Sequence, residues 1–478
     1  MLLSRALRLS QSAIPNPPAA IAFVGAGGKT TALFQLAREL APAVVATTTH
    51  LGAWQASLAD RHFILTEPNA TIESRLAPGV TLVTGPLEGD RFGSLTESIL
   101  SWLRAGCQRR DIPLLIEADG ARQRPLKAPA DHEPVIPDFV EAVVVVAGLS
   151  GLGKPLTEEF VHRPEIFAKL SGLAIGDKIT PEAVVRVLTH SSGGLKNIPA
   201  GARRVALLNQ ADTPLLQGQG KYLAELLLAA YDSVVVNSFE SSQVGKLEIP
   251  NLTACKPANI FAVYEPVAGI ILAAGGSSRF GQPKQLLEWR GKPFVRHAAE
   301  AALAAGLSPV IVVTGANAEA VESAIHDLTI HHSPLTIHHN PNWQSGQSSS
   351  IRAGLSALPP PSLRDTSPIS GVRNGGGREG VGAAIFLLAD QPQVTATILR
   401  ALAERHSLDL CPVVAPQVHG QRANPVLFDR VTFPDLMSLS GDVGGRAVFS
   451  KFPVTYLPWH DESLLVDVDV PEDFKKLE

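Results

Sequence analysis

Cysteine is scarce in this chain: its 478 residues hold three, Cys107, Cys255 and Cys411, far apart and without metal-ligand spacing. That excludes a disulfide framework and points to reduced thiols and a cytoplasmic setting. Aromatic residues make up only 5% of the sequence, and no basic run stands out against a net charge of −4. Single-strand stacking surfaces are therefore not expected, and neither is a nucleic-acid partner. No run of about 18 apolar residues occurs, so no membrane span is expected. The N-terminus, MLLSRALRLSQSAIP, has no long apolar core and no small-residue cleavage site, and reads as an amphipathic first helix rather than a secretion signal. What is plentiful is ordinary core material, 45% hydrophobic against 18% charged, in a chain long enough for two or three domains.

Apolar runs alternate with helical patterns in both halves. Ile21–Val24, Val44–Thr48, Phe63–Leu65, Thr81–Thr84, Leu114–Ala118, Ala142–Ala147, Val205–Asn209 and Ser233–Val236 read as strands of the first half. Gly269–Leu272, Pro309–Thr314, Thr336–His339, Ala383–Leu388 and Pro412–Ala415 read as strands of the second. Continuous apolar runs suit parallel sheets covered by helices on both faces, so the fold class is α/β throughout. Prolines and mixed polar residues in Glu248–Pro266 break the pattern and set a boundary, giving an N-terminal domain of residues 1–255 and a C-terminal one of 256–478. Pro359–Gly382, rich in Pro, Gly, Ser and Arg, reads as a disordered surface insertion.

The most informative stretch is Ile270–Leu287, IILAAGGSSRFGQPKQLL. A strand enters a loop of small residues, Leu272, Ala273, Ala274, Gly275, Gly276, Ser277 and Ser278, whose backbone N–H groups are able to turn toward an anion. Arg279 and Lys284 add two positive charges, the equipment for holding a nucleoside triphosphate while its α-phosphate is attacked. A metal needs a hard oxygen ligand beside it, and Asp390, just past the strand Ala384–Leu388, supplies one at the carboxyl end of the sheet. Asp467 and Asp469, two residues apart on one strand face, are candidates to complete a Mg²⁺ site. Ser349 and Ser350 fall at a helix start, suited to a base or ribose. Arg422, Asn424 and Arg446 lie in polar and basic loops suited to gripping an anionic co-substrate. His331, His332, His338 and His339 flank a strand without zinc spacing and read as exposed strand positions.

Together these residues resemble the molybdenum cofactor cytidylyltransferase family over essentially all of Val267–Glu478. The resemblance implies a Rossmann-like nucleotidyltransferase domain of the GT-A type, with Arg279, Lys284 and Asp390 as catalytic residues. It implies transfer of CMP from CTP to Mo-molybdopterin, giving molybdopterin cytosine dinucleotide and pyrophosphate. Relatives that use GTP usually read LAGG where this chain reads Leu272-Ala273-Ala274-Gly275, which favours CTP. Ala423 and Asn424 depart from the family's Gly-His at those positions. Two other readings remain open, a guanylyltransferase using GTP and a non-catalytic chaperone for finished cofactor.

Near the other end, an apolar strand runs into Gly25-Ala26-Gly27-Gly28-Lys29-Thr30-Thr31 and a helical pattern. Glycine-rich turn, lysine and hydroxyl at a helix start are the mechanical content of a P-loop, although the usual first glycine would fall at Phe23. Leu114–Asp119 is a strand ending in carboxylates, with Asp119 placed to share a Mg²⁺ with Thr30. Leu207–Asp212 is similar to the guanine-reading Asn-Lys-x-Asp motif, with Gln210 in place of lysine and Asp212 facing the base. Val24–Thr31, Thr47–His50, Glu117–Arg122, Pro125–Pro129, His132–Pro134 and His162–Glu165 resemble the accessory proteins of selenium-dependent molybdenum hydroxylases. That resemblance implies a P-loop-like three-layer α/β domain that binds a nucleotide and helps mature a molybdenum hydroxylase apoenzyme.

Overall fold

The computed structural model describes residues 1–9, 20–69, 76, 78–239, 259–276, 282–330, 333–359, 380–466, 468 and 473. They fall into two compact units, Met1–Tyr264 and Glu265–Glu478. Arg279, Ser277, Ser278, Asp467 and Asp469 lie outside the described residues, as do Cys255, His331, His332 and most of the expected insertion.

The first unit is built on a nine-stranded sheet. Its strands in chain order are β1 (Ala20–Gly25), β2 (Ala43–Thr47), β3 (Arg61–Ile64), β4 (Val80–Thr84), β5 (Leu114–Glu117), β6 (Ala142–Gly148), β7 (Arg203–Asn209), β8 (Ser233–Ser238) and β9 (Asn259–Tyr264). Across the sheet they run β9-β8-β7-β6-β1-β5-β2-β4-β3, with every neighbouring pair parallel except β8 and β9. The interior strands are buried on both faces; β6, AVVVVAG, is buried at every position. That is why they read as unbroken apolar runs. The chain reaches β2, β3 and β4 on one side of β1 before returning to β6, β7 and β8 on the other. The crevice at the carboxyl end of β1 is thus a topological switch point, where open α/β sheets place ligands.

The second unit carries an eight-stranded mixed sheet. Its principal strands are β10 (Val267–Ala273), β11 (Val310–Thr314), β12 (Leu335–His339), β13 (Ala383–Leu388), β14 (Val413–Val418), β15 (Gln421–Arg422), β16 (Val426–Asp429) and β17 (Val454–Pro458). The order is β12-β11-β10-β13-β16-β14-β15, with β17 beside β14. Strands β10 to β13 are mutually parallel, whereas β16 runs antiparallel to both β13 and β14. β10 is again the switch point, with β11 on one side and β13 on the other.

Three features depart from expectation. Asn259–Tyr264 adds as an antiparallel edge strand to the first unit's sheet, so the units divide at Tyr264/Glu265, inside the expected Glu248–Pro266 stretch but past the 255/256 junction. The expected first helix is a single turn, Leu3–Ala6; the Glu39 carboxylate caps it, accepting from the N–H groups of Leu3 (3.1 Å) and Ser4 (2.7 Å). β15, β16 and β17 were not expected, being short or partly exposed strands without a long apolar run. Among the described residues no helix is long and apolar enough to cross a membrane.

Candidate functional site

In the first unit, β1 delivers the glycine loop to the N-terminus of α1 (Lys29–Glu39). Gly25, Gly27 and Gly28 all sit at left-handed φ, +96°, +85° and +106°. A Cβ on Gly25 would lie 2.1 Å from the Val146 carbonyl oxygen, and one on Gly27 would lie 2.4 Å from Gly148 N. Only glycine fits a turn pressed this closely on β6. Asn209, at the end of β7, donates to the Gly27 carbonyl at 2.6 Å and so braces the loop from the side.

Lys29 does not face open space. It is 4% exposed, and its ammonium donates to the Asp119 carboxylate and the Asp119 backbone carbonyl, with Glu117 3.6 Å away. Burial by itself would lower the Lys29 pKa, but the Asp119 and Glu117 charges outweigh it and raise it. Burial raises the Glu117 carboxyl, against the pull of Lys29. Asp119 is saturated: its second oxygen accepts from Gly25 N at 2.9 Å and from Lys127 at 2.8 Å. The Thr30 hydroxyl instead donates to Glu117 at 3.2 Å. Of the expected pair Thr30 and Asp119, Thr30 thus meets Glu117, while Asp119 is taken up by Lys29, Lys127 and Gly25 N. The chain of charges continues from Lys127 to Glu133 (2.9 Å) and on to Arg163, which grips Glu133 through both guanidinium nitrogens at 2.7 and 3.0 Å. Burial would raise the Glu133 carboxyl, but the Arg163 and Lys127 hydrogen bonds hold it down at about 2.

Above this floor lies a cleft of about 820 Å³, reached by Gly27, Gly28, Lys29, Thr30, Thr31 and Gln210. Its lining carries five cationic side chains, Lys29, Arg91, Arg122, Arg124 and Arg163, against three acidic ones, Asp90, Glu117 and Glu133. Burial and the nearby Arg163, Lys127 and Arg122 charges push His162 down to about 4, leaving it neutral at pH 7. Arg122, Gln123, Arg163 and Gln210 hold φ between +47° and +66°. Asp212, the expected base reader, hydrogen-bonds Ser238 and is not part of the cleft wall.

In the second unit two pockets adjoin. The larger, about 760 Å³, is lined by Leu272 to Gly276, Lys284, Trp343, Ser350 and Asp390, among others. The smaller, about 440 Å³, is lined by Asp390, Arg422, Asn424, Arg446 and the rings of Phe386, Phe428 and Phe449. Leu272, Gln347, Leu388 and Asp390 belong to both, so Asp390 stands on their shared edge. Strands β10 and β13, paired Leu272 to Leu388, bring loop and carboxylate together.

Gln285 positions the loop: buried at 4% exposure, its side-chain amide donates to the carbonyls of Gly275 (3.0 Å) and Ala273 (3.4 Å). Opposite stands α2 (Gln347–Ser356), entered through Gly346 at φ +97°. A Cβ there would lie 2.6 Å from the Asp442 backbone, so glycine lets the 441–446 loop close on the helix. Asp442 accepts from Gln347 N (3.3 Å), and the Ser348 hydroxyl donates to the Gly441 carbonyl (2.7 Å). Of the two expected serines, Ser350 lines the pocket; Ser349 donates to the Gly346 carbonyl and both accept from Asn340. Arg422 stacks on Phe449 at 5.5 Å, and burial followed by the neighbouring Arg446 lowers its pKa. Sequence reasoning missed Gln285, Trp343 and the phenylalanines; a side chain's inward direction in a loop leaves no periodic signal.

Residues 21–165 match the family model of the YqeC protein, and residues 269–455 that of the MobA-like NTP transferase domain. The uncharacterized protein YqeC of Escherichia coli is 34% identical over 203 residues, 40% of this chain and 76% of that protein. The nicotine blue oxidoreductase of Paenarthrobacter nicotinovorans is 32% identical over 221 residues, 44% of this chain and 96% of that protein. A probable molybdenum cofactor guanylyltransferase of Bacillus cereus is 45% identical over 47 residues, 10% of this chain and 23% of that protein.

Proposed function

The chain belongs to the YqeC family through its first unit and to the MobA-like NTP transferases through its second, which makes it a nucleotidyltransferase, and we propose that it moves CMP from CTP onto Mo-molybdopterin. One observation carries the reading: Asp390 stands on the shared edge of a pocket lined by the small-residue loop and Lys284 and a second lined by Arg422, Asn424 and Arg446. A triphosphate in the first and an anionic co-substrate in the second would meet at that carboxylate.

The mechanism follows from charge. The attacking group is a phosphate monoester, with a second pKa of about 6, already ionised at neutral pH. No general base is required; the barrier is repulsion between anions. Lys284 would balance charge growing at the α-phosphoryl group, and Arg279 with the loop amides would hold the departing pyrophosphate. Gln285 keeps the Ala273 and Gly275 carbonyls turned onto itself and so away from the phosphates. Asp390, with Asp467 or Asp469, would hold a Mg²⁺ whose charge stabilises the transferring phosphoryl group. Arg422 and Arg446, unlike charges to any phosphate, would orient the co-substrate.

For the first unit the same reading is a nucleotide-binding module that serves a molybdenum hydroxylase apoenzyme in the cytoplasm. Support comes from the glycine-locked turn, the Thr30–Glu117 pair and the excess of cationic side chains in the cleft. Incubating the protein with Mo-molybdopterin and each NTP while assaying pyrophosphate tests the transfer. CTP should be the best donor. Release with GTP instead would make it a guanylyltransferase, the activity named for the Bacillus cereus relative. Cofactor binding without pyrophosphate release from any NTP would leave a chaperone and overturn the transfer reading.

A further inference from the structure

The cleft of the first unit has an apolar wall that an inorganic anion would not need. Phe34, Leu58 and Trp54 line the same space as Lys29 and the cleft arginines. Trp54 is 50% exposed, although a large aromatic ring is ordinarily driven into a core. Its position is fixed rather than trailing. It sits on a short 3₁₀ turn, Ala53–Leu58, and Gly52 makes room for the indole: a Cβ there would lie 2.9 Å from Nε1. The Ser57 hydroxyl ties the Trp54 carbonyl at 2.7 Å. The adjacent Gln55 accepts from Gly52 N at 2.9 Å and donates to the Thr30 hydroxyl at 3.1 Å. The turn bearing the exposed ring is thus bolted to the hydroxyl at the head of α1.

A ligand satisfying both halves of this cleft carries phosphates and a flat ring. We propose that Trp54 is the stacking platform for the base of a nucleoside triphosphate held in the N-terminal cleft. The proposal rests on the nucleotide-binding reading of that cleft and adds the group that selects a nucleotide over a bare polyphosphate. Stacking accepts any base, so ATP and GTP should bind comparably there. Removing the ring should cost about ten-fold in affinity, within the range seen for base stacking on aromatic side chains.

The test uses the full chain labelled with 5-fluorotryptophan, whose five tryptophans give separable ¹⁹F signals, that of Trp54 assigned with Trp54→Phe. Trp343 lines the other unit's pocket and reports nucleotide there independently. Mg²⁺ with CTP, ATP, GTP or tripolyphosphate is titrated in, and calorimetry counts the bound equivalents. Two nucleotide equivalents are expected with CTP, and with ATP or GTP at least the one in the N-terminal cleft, the Trp54 signal being moved by every nucleotide and not by tripolyphosphate. Trp54→Ala should weaken one equivalent about ten-fold and leave tripolyphosphate affinity unchanged, with Trp54→Phe close to wild type. Two equivalents with an unmoved Trp54 signal would refute stacking and leave the nucleotide site standing. With CTP, a single equivalent marked by Trp343 alone would overturn the nucleotide reading of the cleft and the stacking with it.

Discussion

Lys29 and Lys284 each follow a glycine-rich loop at the end of a buried central strand, yet Lys29 is 4% exposed among carboxylates and Lys284 is half-buried on a pocket wall. The first loop is shaped by its own backbone, three glycines at left-handed φ pressed on the neighbouring strand. The second is shaped by a side chain from outside it, since Gln285 gathers its carbonyls. At Gly275 an added Cβ meets nothing within 4 Å. A preformed loop with a neutralised lysine suits a unit that holds a ligand. A loop clamped at one end, with its lysine on the pocket wall, suits a unit that must stabilise charge appearing only during reaction.

The sharpest way to break that contrast is to delete each lysine. Lys29→Ala should cost about 3–5 kcal/mol of stability, because it strands buried Asp119 and Glu117 without their counter-charge. Lys284→Ala should cost clearly less stability than that while losing about a hundred-fold in turnover. Denaturant titration and pyrophosphate assays on both variants decide it, and equal stability losses would erase the distinction. Asp390→Asn should lower turnover by about 10²–10³-fold, the scale of losing one preorganised electrostatic contact, with the fold intact. Near-normal turnover in the folded variant would remove Asp390 from the chemistry.

Glycine replacement probes the loops themselves. Gly27→Ala should cost about 2–3 kcal/mol, from left-handed strain and the contact with Gly148. Gly275→Ala should change stability by less than about 0.5 kcal/mol. Comparable melting temperatures for the two would mean that the first loop is not backbone-locked. The last test concerns pH. His162 falls from 6.5 unfolded to about 4 folded, so the unfolded chain takes up a proton first as the pH drops. Its contribution is complete above pH 6.5 and is lost between 6.5 and 4, and His162→Gln should flatten that part of the melting curve. Glu133, held near 2, adds a second loss below about 4.5 that Glu133→Gln should remove. An unchanged pH profile in His162→Gln would show that the ring is not kept neutral by its surroundings.

Much of this architecture is legible in the order of the residues alone. Buried parallel strands must be apolar along their whole length, so β1, β6, β10 and β13 stand out as unbroken runs. Edge strands carry no such signature. Asn259–Tyr264 borders a proline-interrupted stretch, and Val454–Pro458 is exposed or half-buried at every position. Of the residues lining the candidate pockets, those legible in sequence are the ones whose chemistry and loop context announce them: Lys29, Thr30, Lys284, Asp390, Arg422 and Arg446. Trp54 and Gln285 were not, since a tryptophan or a glutamine in a loop is ordinary until its neighbours are known.

By itself the sequence determined two α/β units, the two glycine-rich turns after their first central strands, and the charged residues beside them. Those properties are local, set by side-chain period, glycine's freedom at positive φ and the chemistry of single residues. Only the tertiary structure decided the pairings. It gave Asp119 to Lys29, Lys127 and Gly25 N, and put Glu117 beside Thr30, though both carboxylates leave the same strand. It also put Asp390 on the edge between two pockets whose walls come from segments as far apart as Leu272 and Arg446. Which carboxylate meets which cation depends on strand order and on close approach across the sheet, and strand order is fixed by burial of the whole chain rather than by any stretch of it.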